Sequence, residues 1–161
     1  MSRRGRAAAR APRCLLSDRQ RALRLDGRRL AREVGEVLRR VRFPGDLSLS
    51  LVGDREMGRI HGEFSGDASP TDVLAFPLEG PRVPGAAFPV AEVVVSVETA
   101  VREARARRLR PRTEVLLYAV HGILHLRGED DHDPVRARRM DRRTLALLRA
   151  LGYRHRIGRG K

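Results

Sequence analysis

The chain has little cysteine, few aromatic residues and no long apolar run. Cys14 is its only cysteine, which excludes an internal disulfide and a cysteine-rich zinc site and predicts a reducing, cytoplasmic location. Aromatic residues make up 4% of the chain and tryptophan is absent, so a sheet surface that stacks nucleic-acid bases is not expected. The longest run without glycine, proline or a polar residue is 115–120. A bilayer-spanning helix needs about 20 apolar residues, so no membrane span is predicted.

Acidic residues are few relative to basic ones. The chain holds 34 Lys and Arg against 20 Asp and Glu, a formal net charge of +14, and Lys161 is its only lysine. Coding bias explains the choice of arginine over lysine, but it does not explain the excess of bases. That excess favours a polyanionic partner, most simply a nucleic acid held through its phosphates.

The distribution of charge predicts the domain limits. Residues 1–12 are rich in arginine and have no acid before Asp18, which predicts a disordered basic arm; an organelle transit peptide has a similar composition and is the alternative. Residues 154–161 form a second basic tail. Residues 13–153 between them are long enough for a single domain with one core.

Hydrophobic periodicity predicts about four strands early in the chain and helices that dominate its later part, an α+β fold. The strands are expected at 14–16, 47–51, 73–76 and 93–95, the second with one buried face because its leucines alternate with serines. Residues 78–89 are expected to form a surface loop. The expected helix caps and starts are Asp26, Asp54, Ser96, Pro111 and Asp133-Pro134. The helix after Asp54 is expected to bury Met57, Ile60 and Phe64.

The central element of this fold is the helix that begins at Pro111, because it carries His121 and His125. Residues four apart lie on one face of a helix, one turn apart. The helix is apolar nearly all the way round, so we expect it to be buried. Two stacked imidazoles on a buried helix indicate a shared metal ion.

The residues after this helix supply a third metal ligand. Gly128 can leave the helix in a left-handed turn, which returns the chain towards the same ion. His132 then arrives as the third ligand, with its neighbour Asp131 as the alternative. The other interpretation is that these histidines are core or capping residues.

An open zinc site of this kind can hydrolyse a phosphodiester. Catalytic zinc takes three protein ligands and leaves a position for water, which becomes a nucleophile near neutral pH. Zinc peptidases of the His-Glu-x-x-His type place a glutamate general base after the first histidine, and that position is Gly122 here. Asp130 is the nearest carboxylate that could manage a proton, or it could instead orient a ligand histidine.

Three blocks of the chain resemble the YbeY endoribonucleases, bacterial ribosomal RNA maturation factors. Residues 121–132 read HGILHLRGEDDH, similar to the family's HGxLHLxGYDH. Residues 70–77 read PTDVLAFP, similar to its PTDVLSFP, and residues 91–96 read AEVVVS, similar to its G(D/E)IVI strand. The resemblance covers about residues 13–153. It implies a small four-stranded mixed sheet with about five helices, the metal site on the buried central helix, and a zinc ion held by three histidines.

The resemblance also implies a function. It is that of a metal-dependent, single-strand-specific endoribonuclease acting on ribosomal RNA precursors and ribosomal subunits, in small-subunit 3′-end maturation and ribosome quality control. Thr71 and Asp72 would then border the active-site cleft, unless they only form a turn.

Three positions depart from the family pattern. Asp131 occupies the slot of the third histidine, with His132 one residue later, and Glu129 replaces a tyrosine. Ser65 replaces an arginine that could hold a phosphate, a role that is left open to Arg127 or another arginine. Imidazole is the commoner zinc ligand, so we prefer His132. The missing arginine motivates an alternative function, a catalytically weak, metal-stabilised RNA-binding assembly factor. A metallopeptidase is a third hypothesis, and Gly122 opposes it.

Overall fold

Four strands form one mixed sheet in the order β1-β2-β4-β3. β1 pairs with β2 and β2 with β4 in parallel, while β3 runs antiparallel to β4. The computed structural model describes residues 10–79 and 89–157. Its elements are β1 (Cys14–Asp18), α1 (Gly27–Arg40), β2 (Asp46–Val52), α2 (Asp54–Ser65), β3 (Val73–Pro77), β4 (Pro89–Ser96), α3 (Val97–Ala106), α4 (Pro111–Leu126) and α5 (Pro134–Ala150). The predicted α+β class, the mixed sheet and the number of helices are confirmed.

The larger hydrophobic core lies on one face of this sheet. Alternate residues of β2 and β4 point into it, and α1, α3, α4 and α5 close it. α4 contributes most, because its residues from Val115 to Val120 are all buried. The predicted burial of this helix is confirmed.

A smaller cluster under α2 covers the other face. Val52, Met57 and Val94 form its buried part. Because α2 covers this second face, β2 is buried on both sides, and even Ser50 is buried with its hydroxyl donating to Glu92 Oε1 at 2.7 Å. The prediction that β2 buries only one face is therefore wrong. Phe64 is also not an inner residue, since it is 63% exposed and stacks on Phe76.

Helix caps follow the sequence in three cases and depart from it at α2. The side chains of Asp26, Ser96 and Asp133 accept backbone N–H groups at the starts of α1, α3 and α5, as predicted. At α2 the N-cap is Gly53, and the backbone N–H of Asp54 donates to Glu98 Oε2 at 2.5 Å. The carboxylate of Glu98 in α3 therefore caps the start of α2, which is the role that the sequence predicts for Asp54.

The described ends of the chain lie against the domain. Arg10 Nη2 donates to Asp46 Oδ2 at 2.7 Å, so the last part of the predicted basic arm touches β2. Ile157 packs against the main core. Residues 1–9, 158–161 and most of the predicted 78–89 loop lie outside the described residues, and the domain limits stay a prediction. Within the described part of the chain, no helix is long and apolar enough to cross a membrane.

Candidate metal centre

α4 brings its two histidines to the sheet because a glycine lies between them. A Cβ built on Gly122 would stand 2.9 Å from Cγ1 of Val93 and 3.2 Å from Cγ2 of Val73. Both distances are shorter than ordinary van der Waals contact, so α4 can approach β3 and β4 this closely only without a side chain at this position. The same contact leaves no room for a glutamate general base, which removes the structural basis of the peptidase hypothesis.

Three side chains converge at the carboxyl end of α4. His121 Nε2 lies 3.1 Å from His125 Nε2 and 3.5 Å from Asp131 Oδ2, while His125 Nε2 lies 3.9 Å from Asp131 Oδ1. In the described part of the chain, these residues form a group whose ligand atoms all lie within 4.8 Å of one another. Zinc bonds of 2.0–2.1 Å in a tetrahedral arrangement place ligand atoms about 3.3 Å apart. The donor set therefore fits one zinc ion.

The ring orientation of His125 is fixed by the backbone behind it. His125 Nδ1 lies 3.0 Å from the carbonyl oxygen of Glu129. A carbonyl only accepts hydrogen bonds, so Nδ1 carries a proton, and Nε2 is the ring nitrogen that faces the space between His121 and Asp131 and can donate a lone pair to a metal ion there. Metal-binding histidines commonly donate their second N–H to a backbone carbonyl in this way. Gly128 at φ +86 makes the turn that brings this carbonyl back, as predicted.

His121 is also held in the neutral, unprotonated form that metal binding requires. Burial lowers the pKa of His121, and the neighbouring His125 lowers it further, against the opposing effect of Asp131 and Asp72. The neutral imidazole is therefore favoured at neutral pH, and only the neutral ring has a lone pair to donate.

The structure places the other predicted site residues outside this group. The side chain of His132 is 86% exposed, and its Nδ1 lies 3.6 Å from Asp130 Oδ1. Asp130 accepts the backbone N–H of His132 at 3.2 Å and Arg136 Nη1 at 2.7 Å. These contacts, the His132 N–H first, lower the pKa of Asp130. The described geometry thus groups Asp131, not His132, with the two histidines of α4.

Comparison with known proteins places this arrangement in a family. A family model described as Endoribonuclease YbeY matches residues 16–152. The chain belongs to the YbeY endoribonuclease family. Curated proteins named Endoribonuclease YbeY include one from Kineococcus radiotolerans, 38% identical over 136 residues that cover 81% of this chain and 76% of that protein. A solution structure of TM1509 from Thermotoga maritima aligns with a TM-score of 0.55 and 25% identity, over 88% of this chain and 91% of that one.

Other YbeY relatives are longer than the region they share with this chain. The protein from Anaeromyxobacter sp. (strain Fw109-5) is 42% identical over 111 residues, which are 69% of this chain and 57% of that relative. The one from Rhodopirellula baltica is matched over 55% of its length. This chain therefore spans little more than half the length of several of its YbeY relatives.

A cavity of about 410 Å³ adjoins His121, His125 and Asp131, which we name the metal group of this YbeY-family chain because they could hold a metal ion. His121 and Asp131 line one side of it, and Asp72, Glu103 and Asp141 add three further carboxyl groups. The predicted position of Asp72 beside the cleft is consistent with this arrangement. Thr71 lies next to it and donates its hydroxyl to Asp72 Oδ1 at 3.2 Å. Ser65 instead donates its hydroxyl to the His61 carbonyl at 2.8 Å on the exposed end of α2, so it supplies no cation for a phosphate.

Glu114 and Arg107, which also line the cavity, belong to an ion-paired cluster that the sequence did not reveal. Glu114 on α4 is fully buried; its Oε2 lies 2.8 Å from His155 Nε2, and its Oε1 accepts a hydrogen bond from Arg107. The side chain of His155 is only 2% exposed. The sequence predicts a basic tail at residues 154–161, which include His155. The one signal in the sequence was a carboxylate on an otherwise apolar helix, which requires a buried partner.

Proposed function

We propose that this chain is a zinc-dependent, single-strand-specific endoribonuclease. Its RNA substrate is the precursor of small-subunit ribosomal RNA, and it acts in 3′-end maturation and ribosome quality control in the cytoplasm, on ribosomal subunits. Family membership supports the RNA-cleaving activity, since relatives carry the name Endoribonuclease YbeY. The observation that carries the proposal is the convergence of His121, His125 and Asp131 within 4.8 Å, beside a cavity.

We assign one zinc ion to these three residues. When bound, zinc supplies a Lewis acid for a phosphoryl oxygen and lowers the pKa of a water molecule towards neutrality. The Glu129 carbonyl holds the His125 ring in the ligand tautomer. The Asp131 side chain is 44% exposed, and those of His121 and His125 are 20% and 32% exposed, so the group opens to solvent and to substrate.

Asp130 remains in the proposal as the group that handles the proton. The carboxylate is ionised at neutral pH and can accept a proton, although its lowered pKa makes it a weaker base than an ordinary aspartate. The same carboxylate also holds the loop through Arg136 and the His132 N–H. The variant Asp130→Asn separates the two roles. A lower turnover with full metal content supports the proton role, whereas a lower metal content means that Asp130 only positions residues 127–133, which we name the ligand loop.

Metal analysis of three variants tests the ligand set. We expect about one zinc per chain in the wild type and in His132→Ala, and much less in Asp131→Ala and His121→Ala. His132→Ala is the matched control, because it removes an imidazole from the neighbouring position. Loss of zinc from His132→Ala with retention in Asp131→Ala would show that His132 is the third ligand.

RNA cleavage tests the activity. Purified protein should cut single-stranded RNA, and both a chelator and His121→Ala should abolish the cut. Cleavage that survives in contaminant-free His121→Ala would contradict the mechanism.

The absence of the family arginine at position 65 and the acidic cavity favour a second candidate function, a metal-stabilised RNA-binding assembly factor with little turnover. This candidate predicts that the protein binds ribosome precursors with a strong salt dependence. It also predicts that cells carrying wild type or His121→Ala process ribosomal RNA equally well. Impaired processing with the variant rules it out.

A further inference from the structure

α5 presents a row of arginines on its outer face. Its inner face is buried through Met140, Thr144 and Leu148. At 100° per residue, positions 135, 138, 139, 142, 146 and 149 share the opposite side, and all six residues are exposed. Four of these six are arginines, which we name the α5 ridge: Arg138, Arg139, Arg142 and Arg149.

The ridge arginines differ from their neighbours in having no acidic partner among the residues that the structure describes. Arg136 pairs with Asp130, and Arg143 pairs with Glu129, so these two arginines tie α5 to the ligand loop. In contrast, within residues 10–79 and 89–157 no ion pair involves an arginine of the α5 ridge. These charges are left available for an external anion.

The cavity beside the metal group does not offer such a surface. Asp72, Glu103 and Asp131 line it. Its arginine, Arg107, is already engaged by Glu114 and by Glu103 at 3.7 Å. A chain of phosphates would be repelled from this lining, apart from the one phosphate that a bound metal neutralises. The phosphates on either side of that one need a cationic surface outside the cavity.

The α5 ridge is in the right place to provide it. α5 begins directly after the ligand loop, and the Arg136 and Arg143 pairs hold it against that loop. From Arg138 to Arg149 the ridge extends about 16 Å along the helix, at 1.5 Å per residue. We propose that the α5 ridge binds the phosphate backbone of single-stranded RNA outside the cleft and guides the strand along α5 to the metal group. The identity of the anion as RNA rests on the proposed function.

A matched pair of triple variants tests this surface. The ridge variant is Arg138→Gln, Arg139→Gln and Arg142→Gln. The control is Arg28→Gln, Arg32→Gln and Arg105→Gln, which removes three exposed arginines that also lack an ion pair among the described residues. Both variants lose the same net charge. Both are made in the otherwise wild-type chain, which keeps the proposed zinc ion, and their affinities for a fluorescent, cleavage-resistant 12-nucleotide analogue of single-stranded RNA are compared across a salt series.

The ridge variant should bind much more weakly, and its binding should depend less on salt. Each single-strand phosphate contact contributes about 0.7 to the slope of the logarithm of the binding constant against log[salt], so the loss of three contacts lowers that slope by about 2. At 0.1 M salt this difference corresponds to about 100-fold weaker binding. The control should change far less. Equal losses in both variants would mean that only net charge matters and would overturn the proposal, as would no loss in the ridge variant.

Two further outcomes separate this inference from other hypotheses. If the ridge variant loses binding to vesicles of anionic lipid but keeps its RNA affinity, the surface serves a membrane and the proposal is wrong. If the wild type fails to cleave RNA but the ridge variant still shows the specific loss of RNA affinity, the surface assignment stands and the proposed function fails.

Discussion

At the scale of single residues, Gly122 decides how closely α4, the helix that carries His121 and His125, approaches the sheet. Glycine in the middle of a helix normally destabilises it by about 0.5–1 kcal/mol relative to alanine. In α4 the packing reverses that preference, because Val93 and Val73 occupy the space that a Cβ needs. The residue that excludes a peptidase-type base is therefore also the residue that lets His121 and His125 reach their position.

Gly122→Ala should lower the free energy of unfolding by about 1–3 kcal/mol, the usual cost of overpacking a core. Gly35→Ala in α1 is the matched control, since the nearest side-chain atom that its Cβ would meet among the described residues is the end of Arg39, at 4.0 Å. That control should be neutral or stabilising. Urea unfolding measures both, and Val93→Ala should partly rescue Gly122→Ala. Equal effects of the two glycine substitutions would show that the close contact with β4 does not matter.

At the scale of elements, Asp54 joins α2 to the start of α3. Its carboxylate accepts hydrogen bonds from Ser96 Oγ at 2.5 Å, Thr99 Oγ1 at 2.7 Å and Arg102 Nη1 at 2.9 Å. Burial alone would raise the pKa of Asp54, but these three donors overcome burial and hold the pKa below its usual value of 3.8. The ionised form is therefore the one that the folded state prefers.

The stabilisation by Asp54 should depend on pH. Because the folded pKa lies below the unfolded one, the contribution is complete above the unfolded pKa and is lost as the pH falls through the folded pKa. Asp54→Asn should destabilise the protein at pH 7 by about 1.5–3 kcal/mol, the value of hydrogen bonds to a charged group. The difference from wild type should shrink below about pH 3.8. Denaturant unfolding from pH 7 to pH 2.5 measures it, and a difference that is constant with pH would contradict this account.

At the scale of the whole molecule, the segment after α5 closes the domain against α1 and α4. Tyr153 donates its hydroxyl to Glu33 at 2.6 Å, and His155 reaches the buried carboxylate of Glu114. An ionised Glu114 only accepts hydrogen bonds, so His155 Nε2 must donate. A chain end that composition marks as a solvated tail thus contributes a buried polar contact to the core.

His155→Ala should destabilise the whole domain by about 1–3 kcal/mol, because it leaves one oxygen of a buried carboxylate without its donor. His155→Gln keeps an N–H donor and should recover part of the loss. Thermal unfolding of both variants measures the effect. His61→Ala is the control, since the His61 imidazole lies 2.8 Å from the Ser69 carbonyl oxygen on the exposed side of α2, where its loss leaves no buried charge. If His155→Ala were as mild as His61→Ala, the segment would not be part of the cooperative fold.

The sequence by itself determined the elements and the shared face of the two candidate metal ligands on α4. Strand and helix positions follow from hydrophobic periodicity and local capping, and His121 and His125 share a face by helix geometry alone. These features are local, since they depend on residues at most one or two helical turns apart.

The tertiary structure decided everything that depends on which segments meet. Burial of both faces of β2 follows from α2 packing on the second face, and the cap at Asp54 comes from Glu98, 44 residues away. Asp131 stands beside the two histidines because the turn at Gly128 sets the direction of the loop, which spacing alone leaves open between adjacent residues. His155 finds Glu114 across 41 residues of chain. Long-range contacts of this kind carry no periodic signal, so only the packed chain reveals them.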